Sequence, residues 1–349
     1  MSTHGLDPVA TAKALVAEGK GILAADESSG TMDKRLAEVL DHDPTVDDRR
    51  AWRELLFTTE GAEEHISGAI FYDETLRQQA EDGTPFPDLL HAKGILPGIK
   101  VDTGAKPLAR SPDEKVTEGL DGLRERFEEY RELGARFAKW RAVIEIAGDD
   151  RPTLACIEAN AHALARYAAL CQEAGLVPIV EPEVLMDGKH TIDRSEQVTE
   201  LVLTRVFAAL REQHVDFEAM LLKPNMVLSA YDCPQQADVE EVAERTLACL
   251  RRTVPAAVAG IAFLSGGQDD EHASAHLDAM NHLRPQPWPL SFSYGRALQA
   301  TPLSTWAGQD TSVAEAQAAY LASAQRNGAA REGRYRSDDA AQPAGVAGS

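Results

Sequence analysis

Met220-Leu221-Leu222-Lys223-Pro224-Asn225 is an apolar run closed by a turn dipeptide, which predicts a buried strand with an ammonium group at its C-terminal end. Burial strips water from an ammonium and lowers its pKa, so a lysine placed there becomes a neutral amine able to attack carbonyls. The chain uses lysine sparingly, 10 against 25 arginines, and none follows Lys223. Lys100, Lys139 and Lys223 all close strand-like runs. For Lys223 alone, the competing reading is a structural lysine that snorkels from a strand end. The rest of the chain decides between the two.

Outward from this stretch, short apolar runs recur at residues 21–25, 66–71, 95–101, 137–143, 176–180, 219–223, 259–264 and 289–294. Amphipathic segments lie between most of them, at residues 49–59, 120–130, 154–174, 195–214, 239–252, 270–282 and 311–326. Gly175 is placed to cap the third of these. Strand–helix alternation repeated eight times predicts an α/β fold, a (β/α)8 TIM barrel with right-handed parallel connections. A doubly wound open sheet is the alternative, but it calls for a Gly-rich first turn, and the chain has no GxGxxG. Residues 73–94 and 102–118 carry Pro and Gly clusters and read as surface excursions. A single barrel domain is expected over residues 1–331. Residues 332–349 are polar, Ala/Gly-rich and aperiodic, and are expected to form a flexible tail.

Composition bounds the function. A chain of 349 residues, 44% hydrophobic, can bury a large core. Its net charge of −21 repels nucleic-acid backbones and anionic membranes, so neither is an expected partner. An anionic small substrate requires cations gathered in one pocket. Cys156, Cys171, Cys233 and Cys249 form no CxxC, which suits reduced thiols and a cytoplasmic location. Neither a signal-like apolar segment nor a run of 18 apolar residues occurs. His272 and His276 stand at i, i+4, a zinc-compatible spacing, but on an acidic helix with no third ligand in view. No metal and no cofactor is expected.

Active sites of barrels lie at the C-terminal ends of strands. Here those ends carry Asp26, Lys100 with Asp102, Lys139 with Arg141, Glu181 with Glu183, Lys223, Ser265 and Arg296. Residues two apart on a strand share a face, so Lys139/Arg141 and Glu181/Glu183 are same-face pairs. A second cation, Lys139, would destabilise the Lys223 ammonium and free it to form an imine. Imine formation needs an acid for the departing water, and carbon–carbon cleavage needs a base for the leaving alcohol. Asp26, Glu181 and Glu183 are available for both; the competing reading for Glu181 and Glu183 is a plain ion pair with Lys139 or Arg141, which weighs equally for Glu183 and less for Glu181, the residue next to the strand. Ser265-Gly266-Gly267 and Ser293-Tyr294-Gly295-Arg296 follow the seventh and eighth runs. Glycine turns with free N–H groups, a helix start and an arginine there suit a phosphate.

With these residues assembled, the chain resembles class I fructose-bisphosphate aldolase of the animal and plant type. The resemblance is carried by GILAADES (21–28), GIKVD (98–102), FAKWR (137–141), PIVEPE (178–183), LLKPNMV (221–227), FLSGGQ (263–268) and FSYGRALQ (292–299). It spans about residues 7–325 in family order. It implies a metal-independent lyase of glycolysis and gluconeogenesis that reversibly cleaves fructose 1,6-bisphosphate to dihydroxyacetone phosphate and glyceraldehyde 3-phosphate through a lysine Schiff base. By the same resemblance, Lys223 is the imine-forming lysine and Glu181 the acid/base of carbinolamine dehydration. Asp26 accepts the C4 hydroxyl proton, and Lys139 and Glu183 set the charge around the imine. Ser265, Gly266, Gly267, Ser293, Gly295 and Arg296 match the site of the phosphate nearest the ketone. Ser28, Thr31, Arg35 and Lys100 match the surroundings of the far phosphate, and Arg141 is expected to contact substrate. Sugar phosphates as partners and a homo-oligomer, a tetramer, are further implications. The chain departs from the pattern at Ser29, Thr31 and Thr103, and no tyrosine ends it. Another Schiff-base barrel, such as a transaldolase-like enzyme, is the alternative. A silent barrel kept as a scaffold would have lost one of Asp26, Lys139, Glu181 or Lys223, and all four are present.

Overall fold

The structure, a computed structural model, describes residues 7–283 and 285–336. The chain opens with α1 (Pro8–Leu15), β1 (Gly21–Ala25), α2 (Ser29–Leu36), α3 (Val46–Thr58) and β2 (Ile66–Phe71). Two short helices, α4 (Asp73–Leu76) and α5 (Phe86–Ala92), lead to β3 (Leu96–Lys100). A small hairpin of β4 (Ala105–Pro107) and β5 (Lys115–Thr117) precedes α6 (Leu123–Glu132), β6 (Phe137–Ile144), α7 (Leu154–Glu173) and β7 (Val177–Val184). Then come α8 (Ile192–Glu212), β8 (Leu221–Leu222), α9 (Val239–Thr253), β9 (Gly260–Phe263), α10 (Asp270–His282), β10 (Leu290–Tyr294), α11 (Arg296–Trp306) and α12 (Val313–Arg331). Strands β1, β2, β3, β6, β7, β8, β9 and β10 close on themselves, with parallel pairing throughout. This is the expected (β/α)8 barrel.

Local chemistry sets the helix starts. Thr45, Thr153, Thr191, Asp238 and Asp269 each accept an N–H of the first turn, which holds α3, α7, α8, α9 and α10 in place against the barrel. Sequence periodicity misses α1, α2 and α11. They are 8, 8 and 11 residues long, and α11 carries Pro302 inside it. The two excursions are more ordered than expected, since residues 73–94 contain α4 and α5, and residues 102–118 contain the hairpin.

Two strand limits differ from expectation for clear reasons. The fifth run, expected to stop at residue 180, continues as β7 to Val184 in full register with β6. Pro182 is tolerated there because the neighbouring even position, Val180, turns its carbonyl toward Lys223 N on the β8 side (2.8 Å), and β8 has already ended. β8 itself shrinks to two residues. Residues Phe217–Ala219 form a 3-10 turn capped by Asp216, and Pro224 stops the ladder.

Alternation along the strands separates two apolar cores. The larger lies between barrel and helices, and the smaller fills the barrel with Ile22, Ala24, Ile70, Phe137, Val177, Ile179, Leu221 and Ala262. Helix α1 adds Ala12, Leu15 and Val16 to this interior from below. Going up four of the strands in steps of two, the inward face changes from apolar to charged. Ala24 gives way to Asp26, Phe137 to Lys139, Ile179 to Glu181, and Leu221 to Lys223. Residues 332–336 follow α12, with Tyr335 N donating to Asp278 (2.8 Å), while residues 337–349 of the expected tail lie outside the described residues.

The Phe137 ring occupies space that Gly98 and Gly68 leave. A Cβ on Gly98 would stand 2.3 Å from that ring, and one on Gly68 3.1 Å. Gly98→Ala should therefore destabilise the fold by about 1–3 kcal/mol through overpacking. Chemical-denaturation midpoints measure this, and an unchanged midpoint would show that the ring moves aside freely.

Candidate active site

A cleft of about 880 Å³ opens at the C-terminal ends of the barrel strands. All sixteen residues expected from sequence line it: Asp26, Ser28, Thr31, Arg35, Lys100, Lys139, Arg141, Glu181, Glu183, Lys223, Ser265, Gly266, Gly267, Ser293, Gly295 and Arg296. Its wall carries six cationic and six acidic side chains, so the net −21 of the chain resides elsewhere.

At the floor, Lys139, Glu181 and Lys223 are each no more than 4% exposed. Glu181 sits between the lysines, with Oε1 3.2 Å from Lys223 Nζ and Oε2 3.1 Å from Lys139 Nζ. Lys139 Nζ also lies 2.7 Å from Asp26 Oδ2. The expected contact of two lysines is thus a lysine–carboxylate–lysine bridge, because β6, β7 and β8 are neighbours and their inward positions meet.

Electrostatics follows from the packing. Burial works against the Lys139 ammonium, but Asp26, Glu181 and Asp102 outweigh it and hold its pKa well above the ordinary lysine value. Burial raises the Glu181 carboxyl, yet Lys139, Lys223 and Arg141 bring it below its ordinary value. Asp26 behaves in the same way. Burial is overcome by Lys139, Lys223 and Lys100, and its pKa falls well below the carboxylate range.

Glu183 pairs with Arg141 Nε, the bland reading that the sequence left open, and burial is offset at Arg141 by the Glu183 and Glu181 carboxylates. Arg141 N is held by Asp102 Oδ2 at 3.2 Å, and Lys100 Nζ stands 3.7 Å from Asp102 Oδ1. Across the mouth, Ser28 and Thr31 share a 3.0 Å hydroxyl contact, and Arg35 pairs with Glu27.

On the other side, β9 and β10 deliver the two glycine turns. Gly266 and Gly267 have φ of +63° and +96°, a backbone conformation that favours glycine at both positions, and a Cβ on Gly266 would lie 2.4 Å from Met186 Cε, which would have to swing aside. Among the described residues, Ser293 Oγ is buried with no hydrogen-bond partner. Among the described residues, Arg296 at the start of α11 makes no ion pair with a carboxylate.

Sequence reading passed over three residues that shape this cleft. Glu27 accepts from Arg53 (2.6 Å) and from Gln299 (3.2 Å), and Gln299 also donates to Ala24 O (2.8 Å). Tyr231 donates to Gly266 O at 2.8 Å. Glu27 sits beside Asp26 in sequence, a signal that could have found it. Gln299 and Tyr231 lie outside any strand and carry no periodic signal. The His272–His276 pair plays no part, since His272 bonds Asp269 and His276 bonds Gln268.

Fold and site together define a (β/α)8-barrel enzyme whose charged groups converge on one buried lysine pair. Residues 7–347 match the glycolytic family described as fructose-bisphosphate aldolase class-I. The chain is 57% identical to the probable fructose-bisphosphate aldolase class 1 of Xanthomonas axonopodis pv. citri, over 93% of this chain and 97% of that protein. It is 52% identical to the cytosolic fructose-bisphosphate aldolase 6 of Arabidopsis thaliana, over 95% and 92%. The solved fructose-bisphosphate aldolase of Plasmodium falciparum superposes with a TM-score of 0.93 at 49% identity, covering 95% of both chains. The chain belongs to the class-I fructose-bisphosphate aldolase family, and it is a lyase.

Removing the central cation tests the electrostatic frame. Lys139→Met leaves buried carboxylates uncompensated and should cost about 3 kcal/mol at neutral pH in urea unfolding. Folded Glu181 and Asp26 titrate below their unfolded values, so the pairing stabilises in full above about 4.5, the ordinary glutamate value, and fades as acid protonates them. The gap between wild type and variant should therefore narrow below that pH. A gap independent of pH would contradict the ion-pair account.

Proposed function

We propose that this lyase performs the reversible cleavage of fructose 1,6-bisphosphate, to dihydroxyacetone phosphate and glyceraldehyde 3-phosphate, through an imine on Lys223. The observation that carries this is the Lys223 amine, 4% exposed, within 3.2 Å of the Glu181 carboxylate. Glu181 takes the proton that Lys223 must lose to attack the ketone carbon. It then returns a proton to the carbinolamine oxygen, which leaves as water. The resulting iminium withdraws electrons from the adjacent bond. Asp26 takes the C4 hydroxyl proton, the C3–C4 pair becomes the C2–C3 double bond of an enamine as the imine π pair moves onto nitrogen, and the aldehyde departs. Protonation of the enamine carbon and addition of water then release the ketone and the free lysine.

Lys139 keeps Asp26 and Glu181 ionised through contacts of 2.7 Å and 3.1 Å, so both begin the cycle able to accept protons. Glu183 orients Arg141 toward the cleft. Ser265, Gly266, Gly267, Ser293, Gly295 and Arg296 hold the phosphate next to the ketone. In support, Ser293 Oγ lacks a partner and Arg296 lacks a carboxylate among the described residues. Ser28, Thr31, Arg35 and Lys100 receive the far phosphate. No step calls for a metal, because the iminium supplies the electron withdrawal. The chain acts as one barrel domain, located in the cytoplasm like the cytosolic Arabidopsis relative, and as a homo-oligomer, with a tetramer implied by the family resemblance.

Borohydride trapping with dihydroxyacetone phosphate, followed by peptide mapping, tests the imine. The adduct should map to Lys223 and vanish in Lys223→Met with the fold retained. Trapping at another lysine would defeat the assignment. Dialysis against EDTA should leave turnover unchanged, whereas a loss restored by zinc would point to a metal-dependent reaction.

A further inference from the structure

Tyr231 sits in the loop after β8 and lines the cleft, 45% exposed. Its backbone laces that loop to the one after β7. Ala230 N donates to His190 O (2.9 Å), Tyr231 N to Met186 O (3.0 Å) and Asp232 N to Gly188 O (2.9 Å). Its hydroxyl crosses to a third loop, the one after β9, and donates to Gly266 O at 2.8 Å. Met186 Sδ stands 3.7 Å from the same hydroxyl, but the carbonyl is the nearer and stronger acceptor of its one proton.

What this bond fixes is the peptide between Gly266 and Gly267. In a trans peptide the carbonyl and the next N–H point in opposite directions, so anchoring Gly266 O also aims Gly267 N–H. Two consecutive glycines at φ of +63° and +96° have a wide choice of conformations, and an anchor narrows it. Among the described residues, neither glycine gives its N–H to a protein acceptor. A Cβ position on Gly267 lies 3.0 Å from Arg296 Nη2 and 3.4 Å from Tyr231 Oη, so hydroxyl, guanidinium and glycine turn meet at one point.

We infer that Tyr231 is a positioning residue for the phosphate next to the ketone, acting by holding the Gly266–Gly267 amides in their anion-binding orientation beside Arg296. The inference rests on the phosphate reading of that turn. Its effect falls on binding, because the tyrosine stands apart from the Lys139–Glu181–Lys223 bridge and touches none of its atoms.

Steady-state kinetics on fructose 1,6-bisphosphate, with inorganic phosphate as competing inhibitor, test it in Tyr231→Phe and Arg296→Ala. Loss of one neutral hydrogen bond should raise both KM and the phosphate inhibition constant of Tyr231→Phe about three- to tenfold, with kcat changed by less than about twofold. Arg296→Ala should raise both constants about tenfold or more, as loss of a charge-assisted contact does. Unchanged constants in Tyr231→Phe beside impaired Arg296→Ala would overturn the tyrosine's role alone. So would a fall in kcat with KM and phosphate inhibition unmoved. Unchanged constants in both variants would overturn the phosphate reading and this inference with it.

Discussion

The Glu181 carboxylate between Lys139 and Lys223 is the interaction on which the other features depend. Charges buried this deeply persist only when each has a partner within contact distance. The bridge needs three adjacent parallel strands whose inward faces rise together from apolar to charged, and the barrel supplies them. It also needs a neutral sum. With Asp26 included, two ammoniums face two carboxylates in one small volume. A nucleophilic lysine can be kept in such a place at rest without a free charge. Moving one proton from Lys223 to Glu181 leaves that sum unchanged, so the first step of the proposed cycle requires no counter-ion from solvent.

The barrel and its charged rim were legible in sequence because both follow from a period of two. Apolar runs that end in Lys, Asp or Glu mark where a buried strand meets a polar cleft, and Lys223, Lys139 and Asp26 were found that way. Strand limits were less legible. Pro182 reads as a terminator, yet β7 carries it because no donor is wanted on the side where β8 has stopped. Glu27, Gln299 and Tyr231 escaped notice for a different reason. Each acts on other residues through hydrogen bonds from a loop or helix, and their partners, up to 275 positions away in sequence for Gln299 and Ala24, are set only by the closed topology.

The two proposed phosphate ends are unequal. Among the described residues, at the ketone side Arg296 is without a carboxylate, Ser293 Oγ is unsatisfied, and the Gly266 and Gly267 amides are open. At the far side, Arg35 is already paired with Glu27, which Arg53 and Gln299 hold in turn. An anion arriving at the far end must compete with a resident carboxylate, whereas one arriving at the near end completes an unfinished set. The far end has two cations, Arg35 and Lys100, against Arg296 alone at the near end, but both of the far cations stand beside carboxylates.

Helix α1 gives the barrel a stopper. Its Ala12, Leu15 and Val16 enter the apolar interior below the charged layer, where Val16 fills the space beside Gly260, and Ser67 Oγ bonds Leu15 O at 2.6 Å to keep the helix seated. In the proposed cycle, water that hydrolyses the imine therefore arrives through the mouth used by the sugar. While a long substrate stands in that mouth, it shields its own covalent link from solvent. Departure of the aldehyde fragment reopens the path, so the molecule that is cut times the release of what remains.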